Sequence, residues 1–226
     1  MLFSRQASTS HGLPIYLVAV FAALALVGAT AGAAQASEWE VNTASGVKTL
    51  SEIGSSETIN IAMSEGGSQT LTWTLGGTQV TSKCSALSSI GARITPGGTG
   101  SGKLTLSGCT MVSPPGCAPP AKLTTSELKF ATQQAGGKTY LVFEPSSGSS
   151  IATIMYTGTC AIAGTPFKIA GQLWAELPSP SQLLVSHAAA FSSAGHLTVA
   201  GNSADFTAPV KISLSGANAG RSWKLN

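Results

Sequence analysis

The sequence predicts an all-β fold: an antiparallel β-sandwich or barrel of about 11–12 short strands, stabilised by disulfides. Two observations support this prediction. Apolar residues recur at every second position, as in a strand with one buried and one solvated face. Turn signals rich in glycine or serine separate these runs at near-regular spacing. The one segment that could carry a helical pattern is 182–191, which mixes leucine, valine and alanine.

The alternating runs define the predicted strands in chain order. Their apolar members are Ile59, Ile61 and Met63; Leu71, Trp73 and Leu75; Ile90, Ala92 and Ile94; Leu104 and Leu106; Leu141 and Phe143; Phe167, Ile169 and Leu173; Phe206, Ala208, Val210, Ile212 and Leu214. Gly76-Gly77, Gly97-Gly98, Gly136-Gly137 and residues 146–150 are the predicted turns. Trp39, Trp73 and Trp223 lie in the apolar phase of their segments, so we expect them in the core or packed at the chain ends.

The first 36 residues have the pattern of a secretory signal peptide. Arg5 supplies positive charge, residues 15–27 are uninterruptedly apolar, and Ala34-Gln35-Ala36 is a small-x-small cleavage motif. The alternative is an uncleaved membrane anchor, but the short apolar run and the cleavage motif favour processing. We therefore expect a secreted or cell-surface protein, cleaved before Ser37, in which residues 37–226 form one domain without a membrane span.

All four cysteines lie in this predicted mature part: Cys84, Cys109, Cys117 and Cys160. An even number in an exported protein predicts two disulfides. A zinc site is disfavoured because no Cys-x2-Cys or His-x3-His spacing accompanies the thiols. Three pairings are possible, and the sequence leaves all three open. The turn at Ser113-Pro114-Pro115-Gly116 favours Cys109 with Cys117, which leaves Cys84 with Cys160.

Charge is scarce, since only 9% of the residues are charged and the net charge is +3. A nucleic-acid partner is not expected, because neutralising phosphates requires clustered Lys and Arg. Residues 97–103 match part of a phosphate-binding loop, but Leu104 replaces the Ser or Thr that coordinates Mg²⁺. We interpret this stretch as a hairpin turn, and we expect no cofactor.

Several closing segments resemble a group of uncharacterised secreted all-β bacterial proteins. The segments that carry the resemblance are residues 156–160, 167–176, 201–204, 210–216 and Trp223. Because these motifs consist mainly of Gly, Cys and strand residues, the resemblance implies export and an all-β fold. It implies no activity and assigns no site residue.

The sequence nominates no catalytic residue and no metal ligand. Only His187 and His196 follow residue 36, and Asp205 is the only aspartate in the chain. This disfavours both a catalytic triad and a calcium loop. His187 is predicted to be partly buried and hydrogen bonded, whereas His196 is predicted on a solvated face.

A glycoside hydrolase is the remaining enzyme hypothesis, because it needs only two carboxylates across a groove. Glu38 and Glu40 share one face of a predicted strand, and Glu144 and Glu176 end two others. Solvated strand ends are the simpler interpretation of all four glutamates.

Trp174 is the strongest indication of a binding surface. Its strand phase groups it with Lys168, Gln172 and Glu176, opposite the apolar phase of the same segment. A large aromatic side chain among polar neighbours could stack on a sugar or contact a protein partner. A loop that covers the indole would explain its position equally well. The sequence therefore predicts a non-catalytic binding, adhesive or envelope-structural module, whose partner is a glycan, a cell-envelope polymer or a protein.

Overall fold

Antiparallel strands dominate residues 37–226, the part of the chain that this computed structural model describes. The strands are β1 Trp39–Thr43, β2 Gly46–Thr49, β3 Glu57–Met63, β4 Gln69–Leu75, β5 Thr78–Thr95, β6 Thr99–Ser113, β7 Cys117–Ala118, β8 Lys122–Thr124, β9 Leu128–Ala135, β10 Lys138–Pro145, β11 Ser150–Met155, β12 Thr157–Gly158, β13 Pro166–Gly171, β14 Leu173–Leu177, β15 Ser186–Ser192, β16 Leu197–Val199, β17 Asn202–Leu214 and β18 Trp223–Leu225. The helices in this part are α1, Leu50–Ile53, and a 3₁₀ turn, Gly216–Asn218.

The predicted all-β class is confirmed, but the described residues form more strands than predicted. The difference comes largely from strands of two to four residues, such as β7, β8, β12 and β16. Segments this short cannot show a period of two, so the alternation pattern does not reveal them. Residues 182–191 form no helix, since β15 occupies most of that segment.

The main sheet is organised around β17, which pairs with different strands along its length. Its C-terminal half pairs with β15 on one side and β3 on the other. The β3 pairing closes a ring of eight strands, in the order β3-β5-β6-β9-β10-β14-β15-β17. Its N-terminal half pairs instead with β4 and β16, and the sheet continues through β13 to β11. We call β4, β16, β13 and β11 the open extension.

The predicted apolar phase fills a single buried cluster with almost every residue that the alternation selected. Trp39, Trp73 and Trp223 are all buried, as predicted. Ile90 is the exception, because 48% of its surface is exposed. A register shift between Ile90 and Arg93 surrounds Gly91, whose φ of 61° suits glycine. The resulting bulge turns Ile90 away from the side on which Ala92 and Ile94 are buried.

The β5–β6 hairpin contains the stretch that matches part of a phosphate-binding loop. Thr95 pairs with Thr99 across the turn, and the chain continues directly into β6. The stretch is therefore a hairpin turn followed by a strand, as predicted, and it does not open a helix.

The favoured disulfide pairing is wrong, although the prediction of two disulfides is confirmed. Cys84 bonds to Cys109 and Cys117 bonds to Cys160. Cys84 and Cys109 lie directly opposite each other in the β5–β6 register. The turn at residues 113–116 does not return Cys117 to Cys109, because β6 continues past Cys109 to Ser113. Instead, β7 pairs with β12 and brings Cys117 close to Cys160.

The two ends of the described chain meet in a three-stranded sheet of order β18-β1-β2. Trp39 of β1 packs against Trp223 of β18 with ring centroids 5.4 Å apart. A capping box between Thr49 and Glu52 holds the short α1 beside this sheet. The proposed signal peptide, residues 1–36, lies outside the described residues. Within residues 37–226, no helix has the length and apolarity needed to span a bilayer.

Candidate functional site

The outer face of three adjacent ring strands, β9, β10 and β14, carries the candidate site. The inward phase of these strands is apolar and buried, including Leu141, Phe143 and Ala175. The outward phase is arranged in rows by the strand register. We call it the Trp174 face, and it comprises Lys129, Ala131, Gln133, Tyr140, Val142, Glu144, Gln172, Trp174 and Glu176.

The first row of the Trp174 face is a chain of polar side chains. Lys129 lies opposite Glu144 in the register, and their Nζ and Oε1 atoms are 3.2 Å apart. Gln172, the residue directly before β14, donates from Nε2 to Oε2 of Glu144 at 3.4 Å. Hydrogen bonds from Lys129 and Gln172 lower the pKa of Glu144. Glu144 is therefore held as a carboxylate with its charge paired to Lys129.

The middle row consists of two small apolar side chains, Ala131 and Val142, followed by the indole of Trp174. Ala131 lies opposite Val142, and Val142 lies opposite Trp174. Ala131 is short and exposed, so this row forms the floor of a trough between two taller polar rows. Trp174 stands at the end of that floor.

Trp174 is half-buried and held by contacts on several sides. Its ring stacks on the imidazole of His196 with centroids 4.2 Å apart and an interplanar angle of 17°. The ring of Tyr140 meets it edge-on at 5.3 Å. The indole Nε1 donates to Oε1 of Gln172 at 3.2 Å. These contacts fix the orientation of the indole while leaving part of it accessible to solvent.

The third row pairs charge in the same way as the first. Tyr140 lies opposite Gln133 on one side and Glu176 on the other. Glu176 accepts a hydrogen bond from Nζ of Lys138 at 2.9 Å. That hydrogen bond and the carboxylate charge raise the pKa of Lys138. Each lysine bordering the Trp174 face therefore has a glutamate partner.

Two adjoining hollows follow the first row of the Trp174 face. One has a volume of about 480 Å³ and extends over Ala131, Gln133 and Val142. The other, of about 470 Å³, extends over the serine-rich loop of residues 146–149. Lys129, Glu144 and Gln172 line both. We call the two hollows together the groove.

The structure brings together three of the four residues that the sequence nominated for binding. Trp174 and Glu176 lie on one side of β14, and Gln172, directly before that strand, has the same phase because the alternation of burial continues through Gly171. Lys168 is exposed but lies on β13, which pairs with β11 and β16 rather than with β10. Within the described residues, no ion pair or side-chain hydrogen bond joins it to the Trp174 face.

Sequence reasoning missed Tyr140, Lys129 and His196 as members of this surface. The phase of β10 would have placed Tyr140 outward with Glu144, but only the pairing of β10 with β14 sets it beside Trp174. His196 was predicted on a solvated face, and it is exposed. Its stacking on Trp174 depends on the main chain near Gly171, where Gln172 N donates to the His196 carbonyl at 2.8 Å.

The glutamates of the hydrolase hypothesis are distributed among separate contacts. Glu40 pairs with Lys224 at 3.0 Å, and Glu38 accepts hydrogen bonds from the backbone of Ser51 and Gly97. Glu176 lies opposite Tyr140, and Glu144 is four residues farther along β10. At about 3.4 Å per residue this separates the two positions by about 14 Å. Carboxylates in glycosidases lie about 5 to 10 Å apart.

His187 has a structural position in the core rather than an accessible one. Its Nε2 lies 2.8 Å from the carbonyl oxygen of Trp223, and its ring packs on the Trp223 indole at 4.1 Å. Burial lowers the pKa of His187. Among residues 37–226, no three His, Cys, Asp or Glu side chains are placed to hold a metal ion.

The comparisons with known proteins assign neither a family nor a residue role. No protein-family model, curated protein or solved structure matches this chain. The Trp174 face is therefore the basis on which a function is proposed.

Proposed function

We propose that this protein is a non-catalytic binding module that works outside the cell, either secreted or held at the cell surface. The observation that carries the proposal is the groove on the Trp174 face, whose lining residue Gln172 is hydrogen bonded to the half-buried, oriented indole of Trp174. Its volume lies in the range of about 300–1,000 Å³ that is typical of ligand sites. Aromatic side chains supply large contact area with little loss of conformational freedom, because few torsions must be fixed.

The arrangement of the polar groups favours binding over catalysis. Glu144 and Glu176 are both paired with lysines, and contacts with those lysines favour the charged forms of Glu144 and Lys138. A general acid needs the opposite shift, a carboxyl pKa raised so that the proton is retained near neutral pH. The groove thus offers fixed hydrogen-bonding groups rather than a proton donor.

Two independent features support an extracellular location. Residues 1–36 have the sequence pattern of a cleaved secretory signal. All four cysteines are engaged in disulfides, which persist in oxidising compartments.

The test compares the wild-type protein with Trp174→Ala. Both are expressed with residues 1–36 and purified in the form that the cell exports. Retention is measured on a panel of insoluble polysaccharides, cell-envelope preparations and immobilised proteins. We expect the wild-type protein to be retained on at least one surface and the variant to bind at least about tenfold more weakly. Ile90→Ala, which removes exposed apolar surface on β5, is the matched control and is expected to bind normally.

Two outcomes would contradict the proposal. One is retention that is unchanged in Trp174→Ala while circular dichroism shows that the variant is folded. The other is the absence of retention on every surface of the panel. Release of new polymer ends by the wild-type protein would favour the hydrolase hypothesis instead.

A further inference from the structure

We infer that the groove takes an uncharged polysaccharide chain; this inference rests on the proposed binding function and names its ligand class. Three features of the Trp174 face point to this ligand: balanced charge, mixed hydrogen-bonding capacity beside an apolar floor, and an interior position in the sheet.

The charges on the Trp174 face cancel locally. Lys129 is paired with Glu144 at 3.2 Å and Lys138 with Glu176 at 2.9 Å. A polyanion recruited here would have to compete with a carboxylate already attached to each lysine. A basic polymer would likewise have to displace the lysine that is already paired with each glutamate. Neither kind of charged polymer therefore finds an unpaired partner at the border of the groove.

The first row has both donors and acceptors left over. Gln172 uses one amide N–H on Glu144 and one lone pair on the Trp174 indole, so a further N–H and a further lone pair remain. Lys129 keeps additional N–H donors, and Glu144 keeps additional acceptor sites. A hydroxyl group both donates and accepts, so a chain rich in hydroxyls matches this mixed set.

The floor beside this row is apolar and suits the C–H faces of sugar rings. Ala131 is exposed on this floor and Val142 beside it is 7% exposed, and Trp174 follows in the same row with its ring held by Tyr140 and His196. Sugar rings have C–H groups on their faces and hydroxyls at their edges. The apolar middle row matches the C–H faces of a sugar ring, and the polar rows on either side match its hydroxyls.

The position within the sheet argues against a peptide ligand. β10 is paired with β9 on one side and with β14 on the other, while β9 is paired with β6 at residues 128–131 and β14 with β15 at residues 175–176. Peptides that bind to sheets commonly add a strand at a free edge and use its backbone hydrogen bonds. At Lys129 and Ala131, where β9 is paired on both sides, a peptide would have no backbone edge to join. This part of the groove therefore favours a polysaccharide over a peptide strand.

The experiment measures retention of the purified protein on three classes of immobilised polymer. These are neutral polysaccharides (cellulose, mannan and dextran), polyanions (polygalacturonate and hyaluronate) and protein (gelatin). We expect retention on at least one neutral polysaccharide, changing less than about twofold between roughly 50 and 500 mM salt. Gln172→Ala should weaken it by at least about tenfold, whereas the matched control Gln79→Ala, on the exposed side of β5, should not.

Glu144→Gln provides a converse test of the charge argument. The change removes the carboxylate from Lys129, so the variant should be retained on polyanions that the wild-type protein does not bind. That new retention should fall steeply with salt, because it would rest on an exposed ammonium group.

The outcomes separate this inference from the proposed function. Wild-type retention only on polyanions or gelatin, still lost in Trp174→Ala, would overturn the neutral ligand and leave the binding function standing. Retention on no polymer, or retention that does not depend on Trp174, would overturn both.

Discussion

The two ends of the core are stabilised by different means. At the terminal end, where β1 and β18 pair, Trp39, Trp223 and His187 pack against one another. At the disulfide end, where the open extension meets β5 and β6, the core contains a space of about 40 Å³. Cys84 and Cys109 border that space, together with Pro119, Pro120 and Leu123. Aromatic side chains pack at both ends, since Trp73 and Tyr156 contact Phe167 at the disulfide end, but the covalent cross-links lie at the disulfide end.

Buried polar atoms are also distributed unevenly between the two ends. Near the disulfide end, Gln69 Oε1, Trp73 Nε1 and Tyr156 OH are buried and have no hydrogen-bond partner within the described residues. At the terminal end, Trp39 Nε1 donates to the Thr99 carbonyl, while Trp223 Nε1 has no partner there. Unpartnered buried groups reduce stability by about 1–3 kcal/mol each. The disulfides therefore lie at the end that has more of these unpartnered buried atoms.

The largest expected loss of stability comes from removing an indole at the terminal end. Trp223→Ala removes an indole that contacts Trp39 and His187, and we expect a loss of about 3–5 kcal/mol in the free energy of unfolding. Equilibrium denaturation in guanidinium chloride measures it. Trp223→Phe, which keeps an aromatic ring, should lose less. A loss below about 1 kcal/mol in the alanine variant would show that this end does not depend on the indole.

Removing a cross-link tests the disulfide end. The Cys117→Ser, Cys160→Ser double variant opens a closure that spans 43 residues and should cost about 4 kcal/mol. The corresponding variant at Cys84 and Cys109 opens a closure of 25 residues and should cost about 3.5 kcal/mol. Thermal denaturation without reductant measures both. Equal stability of either double variant and the wild-type protein would contradict the comparison.

Acid should weaken the terminal end through His187. Because burial lowers the folded-state pKa of His187, the unfolded chain binds this proton first. Stability is therefore full above the ordinary histidine pKa of about 6.5 and falls as the pH drops from there towards the folded-state pKa. The slope from one group is at most about 1.4 kcal/mol per pH unit.

Denaturant midpoints measured between pH 8 and pH 5 test this dependence. His187→Gln should flatten the curve in the window below pH 6.5, since the group no longer titrates. Gln79→Ala, on the exposed side of β5, is the control, because it removes no titrating group, and it should keep the wild-type slope. If His187→Gln has the same slope below pH 6.5 as the wild-type protein, His187 is not the source of the pH dependence.

The smallest expected effect comes from filling the space at the disulfide end. Ala152 lines it, and Ala152→Val should raise the free energy of unfolding by about 0.5–1 kcal/mol. Leu106→Ala enlarges the same space and should lower it by about 2–5 kcal/mol. Urea denaturation measures both variants. A loss of more than about 1 kcal/mol in Ala152→Val would mean that the region is already tightly packed.

The alternation of side chains predicted the fold class and much of the core. It failed at Ile90, where a single inserted residue changes which side of the strand faces inward. It also missed strands of only two or three residues, such as β7 and β12, yet their pairing brings Cys117 to Cys160. Both failures have the same origin, because bulges and very short strands are defined by the neighbouring strand rather than by their own residues.

The sequence by itself determined which residues of one strand share a face. Gln172, Trp174 and Glu176 lie together because successive side chains of a strand point to opposite sides, which is a local property. It also determined that four cysteines could form two bonds. Only the tertiary structure decided their partners: Cys109 for Cys84, and Tyr140 and His196 for Trp174. Those contacts depend on which distant strands become neighbours, and this follows from closing the ring and burying the whole core at once.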